Sequence, residues 1–147
     1  MNDRIRTLHA LEQEMGILMR RVRRALSERA ALVHPSLQPS SYVMLAHLIE
    51  AGPRRSADIA EAFDLDKGAV SRQVQHLVEL GLVERTPDPA DGRATILTAT
   101  TEAKDRVDQV SRLRIEQLDE RLAEWTAEDL DELVSRFSRY NATLDER

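Results

Sequence analysis

A chain of 147 residues with no cysteine and a formal net charge of -5 has no disulfide, no thiolate metal site and no thiol redox switch. No apolar run approaches the roughly 20 residues that a bilayer-spanning helix needs, and the polar start Met1 to Arg6 has no secretory apolar segment behind it, so a cytoplasmic protein is expected. Aromatics make up only 3% of the chain, so its core must be Leu, Val, Ile and Ala, which suits helices packed by aliphatic ridges.

From about Arg4 to Ala31, the residues Leu8, Leu11, Met15, Leu18, Met19, Val22 and Leu26 recur at steps of three and four, the period of one long amphipathic helix. His34-Pro35-Ser36 breaks it. A second helix begins near Pro39, a good first-turn residue, and carries Val43, Leu45, Leu48 and Ile49 to a stop at Gly52-Pro53. Ser56 is a suitable N-cap for a short third helix, Ala57 to Phe63, with Ile59, Ala60 and Phe63 inward. After a turn filled by Leu65, Asp66 caps a fourth helix running from Lys67 to Leu80, and Gly81 supplies its left-handed stop. Two short helices joined by a tight turn make a helix-turn-helix.

Leu82 to Thr86 reads as a strand, Pro87-Asp88-Pro89-Ala90-Asp91-Gly92 as a dense turn signal, and Arg93 to Leu97 as a β-branched return strand. A hairpin directly after a helix-turn-helix is a wing. From about Ala99 to Glu124 a long helix resumes on Val107, Val110, Leu113, Leu118 and Leu122, ending at Trp125. Thr126 caps a last helix, with Asp129 in the capping-box position and Leu130, Leu133, Val134, Phe137 and Tyr140 as its inner face.

Charge is unevenly placed along these elements. Residues 94–147 carry 8 basic and 13 acidic side chains, residues 1–51 carry 7 and 5, and the stretch 52–93 carries 6 and 8. Bulk charge therefore does not mark a nucleic-acid binder, and such a function has to rest on where single basic residues stand.

On the fourth helix, Val70, Val74, Leu77 and Val78 share one side, and Gly68, Arg72, Gln75, His76 and Glu79 share the other. A recognition helix places its N-terminal half in the major groove, where Arg72 suits guanine O6 and N7 and Gln75 suits adenine. Gly68 and Ala69 allow close backbone approach, or contact of Ala69 with a thymine methyl. Lys67 and Ser71 are placed for phosphates, as is the helix start at Ser56; Arg54 and Arg55 before it are further phosphate candidates.

The run Asp58-Ile59-Ala60, the stretch Lys67-Gly68-Ala69-Val70-Ser71-Arg72, Leu77 to Gly81 followed by Leu82-Val83-Glu84-Arg85, the wing Asp91-Gly92-Arg93, and Leu97-Thr98 occur in this order. Together they resemble the MarR family of bacterial regulators, over nearly the whole chain. The resemblance implies one domain over residues 1–147, mainly α with a small β-hairpin. A winged helix-turn-helix DNA-binding module at about 36–98 would be carried on dimerisation helices at about 1–35 and 99–147. It also implies that Arg93 enters the minor groove while Asp91 holds it by an ion pair. Two positions depart from the family pattern: Gly92, where a basic residue is common, and Thr101, where a glycine is usual.

The expected protein is a sequence-specific transcriptional regulator, by family default a repressor, acting on double-stranded DNA. The first, fifth and last helices have more apolar surface than one small module covers, so a homodimer on a pseudo-palindromic operator is expected. The resemblance further implies a small, often aromatic, effector, with Met15, Met19, His34, Tyr42 and His47 as candidate wall residues. No phosphate loop, nucleophile elbow or metal-ligand spacing points to an enzyme, a cofactor or a metal. The alternative is a winged-helix protein-interaction module without specific DNA binding.

Overall fold

The computed structural model describes residues 2–145. Two compact units make up the chain, Met1–Val110 and Ser111–Arg147. The first holds α1 (Asp3–Val33), α2 (Pro39–Ala51), β1 (Arg54–Arg55), α3 (Ser56–Ala62), α4 (Lys67–Glu79), β2 (Val83–Asp88) and β3 (Asp91–Ala99). It also holds the first half of α5 (Thr101–Arg121); the second unit holds the remainder of α5 and α6 (Ala127–Asp145).

The core of the first unit is aliphatic, as the scarcity of aromatics requires. Met44, Leu45 and Leu48 of α2 meet Ile59 of α3, Val70, Val74 and Leu77 of α4, and Leu82, Val83 and Leu97 at the sheet. Ala30 and Val33 close it from α1, and Ala103 and Val110 from α5. Burying a Leu or Ile side chain contributes about 1.5–3 kcal/mol, so α4 is anchored chiefly by one face.

Capping explains most of the boundaries. Asn2 accepts the Arg4 N–H at 3.1 Å to start α1, and Asp66 accepts the Ala69 N–H at 2.7 Å to start α4. Between α3 and α4 the chain turns on Asp64 at φ 50, a left-handed conformation that Asp tolerates better than most residues. Gly81 at φ 72 ends α4 without the steric penalty a side chain would bring there. The Thr100 hydroxyl donates to the Gly81 carbonyl and accepts the Ala103 N–H, so one side chain starts α5 and ties it to the end of α4. Arg106 of α5 donates to the Val33 carbonyl at 3.0 Å, satisfying an orphan acceptor at the end of α1. In α6 the capping box forms, with Thr126 and Asp129 exchanging hydrogen bonds.

The sheet differs from the sequence expectation in three ways. It has three antiparallel strands in the order β1-β3-β2, because Arg54 and Arg55 pair with Leu97 and Ile96. A two-residue strand leaves no periodic signal in a sequence. As a consequence, Ser56 is the first helical residue of α3 and not its cap; Arg55 holds the cap position, and Asp58 accepts its N–H at 3.3 Å. Finally, the wing strands run further than expected, leaving only Pro89 and Ala90 between them. Pro87 is tolerated inside β2 because that strand lies at the sheet edge, and a bulge sits at Pro87/Asp88. Helix α5 starts at Thr101 and ends at Arg121, later and earlier than the apolar stripe suggested, with Thr100 as the reason for the start.

Candidate nucleic-acid interface

Helix α4 presents two unlike faces. Val70, Val74 and Leu77 are buried, while Lys67, Gly68, Ser71, Arg72, Gln75 and Glu79 are exposed. Two hollows flank it. On the wing side, a hollow of about 520 Å³ is lined by Arg55, Lys67, Arg85 and Arg93, with Ser56 and Ser71 adding hydroxyls and Asp91 the only carboxylate. On the other side, a hollow of about 400 Å³ lies between α4 and the start of α2, lined by Ser40, Ala69, Arg72 and His76 among others. The helix stands as a ridge between two concave surfaces.

The individual side chains are less free than the sequence suggested. Gln75 donates to Glu79 at 2.9 Å, so its amide is held along the helix until a stronger partner takes it. His76 is half-buried, and its Nε2 lies 3.0 Å from the Ser36 carbonyl, an arrangement in which Nε2 carries the proton and donates. That bond ties α4 to the loop after α1 and makes His76 a brace more than a base reader. Arg72 is exposed, and its guanidinium lies over Gly68, where an added Cβ would stand 3.4 Å from its Nη1 and 3.1 Å from the capping oxygen of Asp66. Gly68 therefore leaves room for the cap and the arginine as well as for an approaching surface.

At the wing, Arg93 is exposed on β3 close to the turn. Asp91 engages it through the backbone, its Oδ1 accepting the Arg93 N–H at 3.0 Å, and not through the side-chain ion pair the resemblance implied. The wing acid that does form an ion pair is Asp88, which meets Arg55 at 2.5 Å. Asp88 is buried, and its carboxyl is held below the usual aspartate range by the Ala90 N–H and by Arg55, against the opposing effect of burial. Arg54 is exposed on β1, with its guanidinium on the Pro53 carbonyl.

Sequence reasoning did not single out Asp88 or Arg85. The signal for Asp88 was present, since an Asp two residues before a free N–H in a turn commonly folds back on it, and its Oδ1 does accept from Ala90 at 2.8 Å. Arg85 had no such signal. It joins the hollow only because the register sets it opposite Leu97.

The effector candidates are not drawn together by any contact described between them. Tyr42 belongs to the core, the His47 and Phe63 rings meet in a T-shaped contact, and His34 accepts the Ser36 N–H at 3.0 Å through Nδ1. Met15 is half-buried and Met19 exposed on α1. Among the described residues no three His, Asp or Glu side chains gather as a metal site would require, and no helix is long and apolar enough to cross a membrane.

The family model of the MarR family matches residues 36–94, the span holding α2 to α4 and most of the wing. YxaD of Bacillus subtilis (strain 168), an uncharacterized HTH-type transcriptional regulator, is 35% identical over 107 residues, covering 71% of this chain and 75% of that protein. The chain belongs to the MarR family. Within solved structures, a MarR family protein from Bacillus stearothermophilus matches with a TM-score of 0.78 at 19% identity, over 99% of both chains. A mutant MarR from E. coli complexed with operator DNA matches with a TM-score of 0.68 at 22% identity, over 95% of this chain and 99% of that one. These likenesses concern the fold, a mainly helical chain with a small antiparallel sheet, the winged-helix arrangement found in MarR structures.

Proposed function

We propose that this MarR family member is a sequence-specific, double-stranded-DNA-binding transcriptional regulator that acts as a homodimer on a pseudo-palindromic operator in the cytoplasm. The observation that carries the reading is the ridge of α4 between its two hollows, with Arg72 exposed on the ridge and Lys67, Arg85 and Arg93 around the wing-side hollow. A B-DNA major groove is about 12 Å wide and walled by phosphates. A helix entering it needs base-reading side chains on its crest and basic or hydroxyl groups on its flanks.

In this reading Arg72 reads guanine and Gln75, once released from Glu79, reads adenine. Lys67, Ser71, Ser56 and Arg54 take phosphates, and Arg93 reaches the minor groove beside the site. Residues of about 1–35 and 99–147 form the dimer frame, and about 36–98 the reading module. Repression, and release by a small effector bound among Met15, Met19, His34, Tyr42 and His47, follow from the family resemblance. Catalysis has no place in it.

One observation favours a second reading, a protein-binding winged helix: residues 52–93 carry 6 basic against 8 acidic side chains. Fluorescence anisotropy on random duplex DNA separates the two. Binding at low salt that falls steeply as salt rises supports the DNA reading, because phosphate contacts release counterions; absence of binding at low salt overturns it. Selection of bound duplexes from a random pool then gives the operator, and a compound screen for release tests the effector.

A further inference from the structure

The wing is held by a contact that the DNA-reading side chains do not explain. Strand β3 lies between β1 and β2, yet Arg55 of β1 reaches Asp88 of β2, so the pair spans β3 from one edge strand to the other. Helix ion pairs such as Arg24–Glu28 and Arg136–Glu132 join exposed neighbours one turn apart, and exposed pairs of that kind contribute little. Here one partner is buried: the Asp88 side chain is 6% exposed and that of Arg55 45%. The second carboxylate oxygen of Asp88 accepts the Ala90 N–H at 2.8 Å, and the bulge at Pro87/Asp88 breaks the regular register there. Asp88 is also the last β2 residue in register, facing Asp91, whose side chain fixes the Arg93 N–H. An unbroken set of contacts thus runs from Arg55, at the foot of α3, to Arg93.

We propose that the Arg55–Asp88 pair is a clamp that fixes the angle of the wing against the helix-turn-helix, making both residues positioning residues for minor-groove reading by Arg93. Resting on the DNA-binding reading above, this assigns Arg55 a role other than phosphate contact. An arginine aimed at a narrow minor groove gains from being held before it arrives, because less freedom is lost on binding. Without the clamp, the turn at Pro89-Ala90 is held by the pairing of β2 with β3 alone, because β1 reaches β3 only at Leu97 and Ile96.

The test uses the full chain as wild type, Arg55→Met, Asp88→Asn, the double variant, and Asp88→Asn combined with Arg93→Ala. Each is titrated by anisotropy at fixed salt against two duplexes with the same selected core and either A·T or G·C pairs under the wing. The clamp predicts that each single variant loses about fivefold in preference for the A·T flank. The double variant loses no more, Asp88→Asn has no further effect once Arg93 is Ala, and base preference under α4 is unchanged. Additive losses in the double variant mean that Arg55 contacts DNA by itself and overturn the proposal, as does an intact A·T preference in Asp88→Asn. Hydrogen exchange without DNA gives a second readout. Faster exchange at Ala90 and Arg93 in Asp88→Asn, with exchange at the buried residues of α2 and α4 unchanged, supports the clamp, and unchanged exchange at Ala90 and Arg93 overturns it. A wild type that binds no duplex defeats the DNA reading instead, and the exchange result still stands apart from it.

Discussion

In the proposed function, Arg72 and Arg93 are the two exposed arginines on which base reading would turn, and they should fail differently. Arg72 lies on the α4 crest, so Arg72→Ala is expected to weaken the cognate site by about 1–3 kcal/mol with little change on scrambled duplex. Arg93→Ala is expected to weaken binding broadly across A·T-rich sequences. Gel shifts at fixed salt with both duplexes check this, and equal loss on the two duplexes for Arg72→Ala would contradict base reading. Gly92 sharpens the wing further. Its missing Cβ has nothing within 4 Å, and its φ is not in the left-handed region, so neither space nor backbone demands glycine. Gly92→Arg should therefore fold normally, bind random DNA more tightly, and steepen the slope of log K against log salt by about one unit. Two carboxyls contribute to the acid sensitivity of the fold. Asp88 is held low by the Ala90 N–H and Arg55, and Asp129 by the Thr126 N–H and hydroxyl. A carboxyl with a depressed folded pKa stabilises the fold above its unfolded value and loses that contribution as pH falls through the folded one. Stability from these two groups should hold from neutral pH to about pH 4 and decline below it; Asp88→Asn and Asp129→Asn should each flatten that decline in urea titrations.

Among the elements, legibility followed the strength of local chemistry. Helix α4 was readable at both ends because Asp66 and Gly81 carry its start and stop, and its buried face because Val70, Val74 and Leu77 keep helical spacing. Asp66→Ala should therefore cost about 1 kcal/mol of stability in chemical melts, with α4 fraying at Lys67 to Ala69. The capping box before α6 was readable for the same reason. Strand β1 was not, since two residues cannot show alternation and pair only through the distant Leu97 and Ile96. Missing that strand moved the start of α3 by one residue and left Arg55 looking free for phosphate. The brace from His76 to Ser36 and the reach of Arg55 to Asp88 are likewise tertiary, joining segments far apart in sequence. The exposed face of α4 was thus legible by residue type and helical spacing, whereas the partners that its side chains take within the fold were not. Gln75 is intermediate: its bond to Glu79 follows the four-residue helical spacing that a sequence does display.

For the whole molecule, the apolar surface left over after folding is the feature that a lone chain does not explain. In the first unit, Ile5, Leu8, Leu18, Met19 and Val22 of α1 are exposed. In the second unit, no described residue of α6 is buried, and Leu133, Val134, Phe137 and Leu144 lie open to solvent. Exposed apolar residues in such numbers on long helices mark an association surface more often than a free one. A two-fold partner covering them would also present two copies of α4, which a palindromic operator needs about 34 Å apart. Sedimentation at micromolar concentration should therefore give twice the 16.7 kDa chain mass. Placing two carboxylates on the open face of α6, in the double variant Val134→Glu and Phe137→Glu, should shift the protein to monomer, since unpaired charges would have to be desolvated on association. The α4 ridge is left untouched by these changes, so the monomer should keep weak, salt-sensitive binding to random duplex while losing its advantage on the paired half-sites. A wild-type monomer would refute the dimer frame, and a variant that stays dimeric would place the interface elsewhere than on α6.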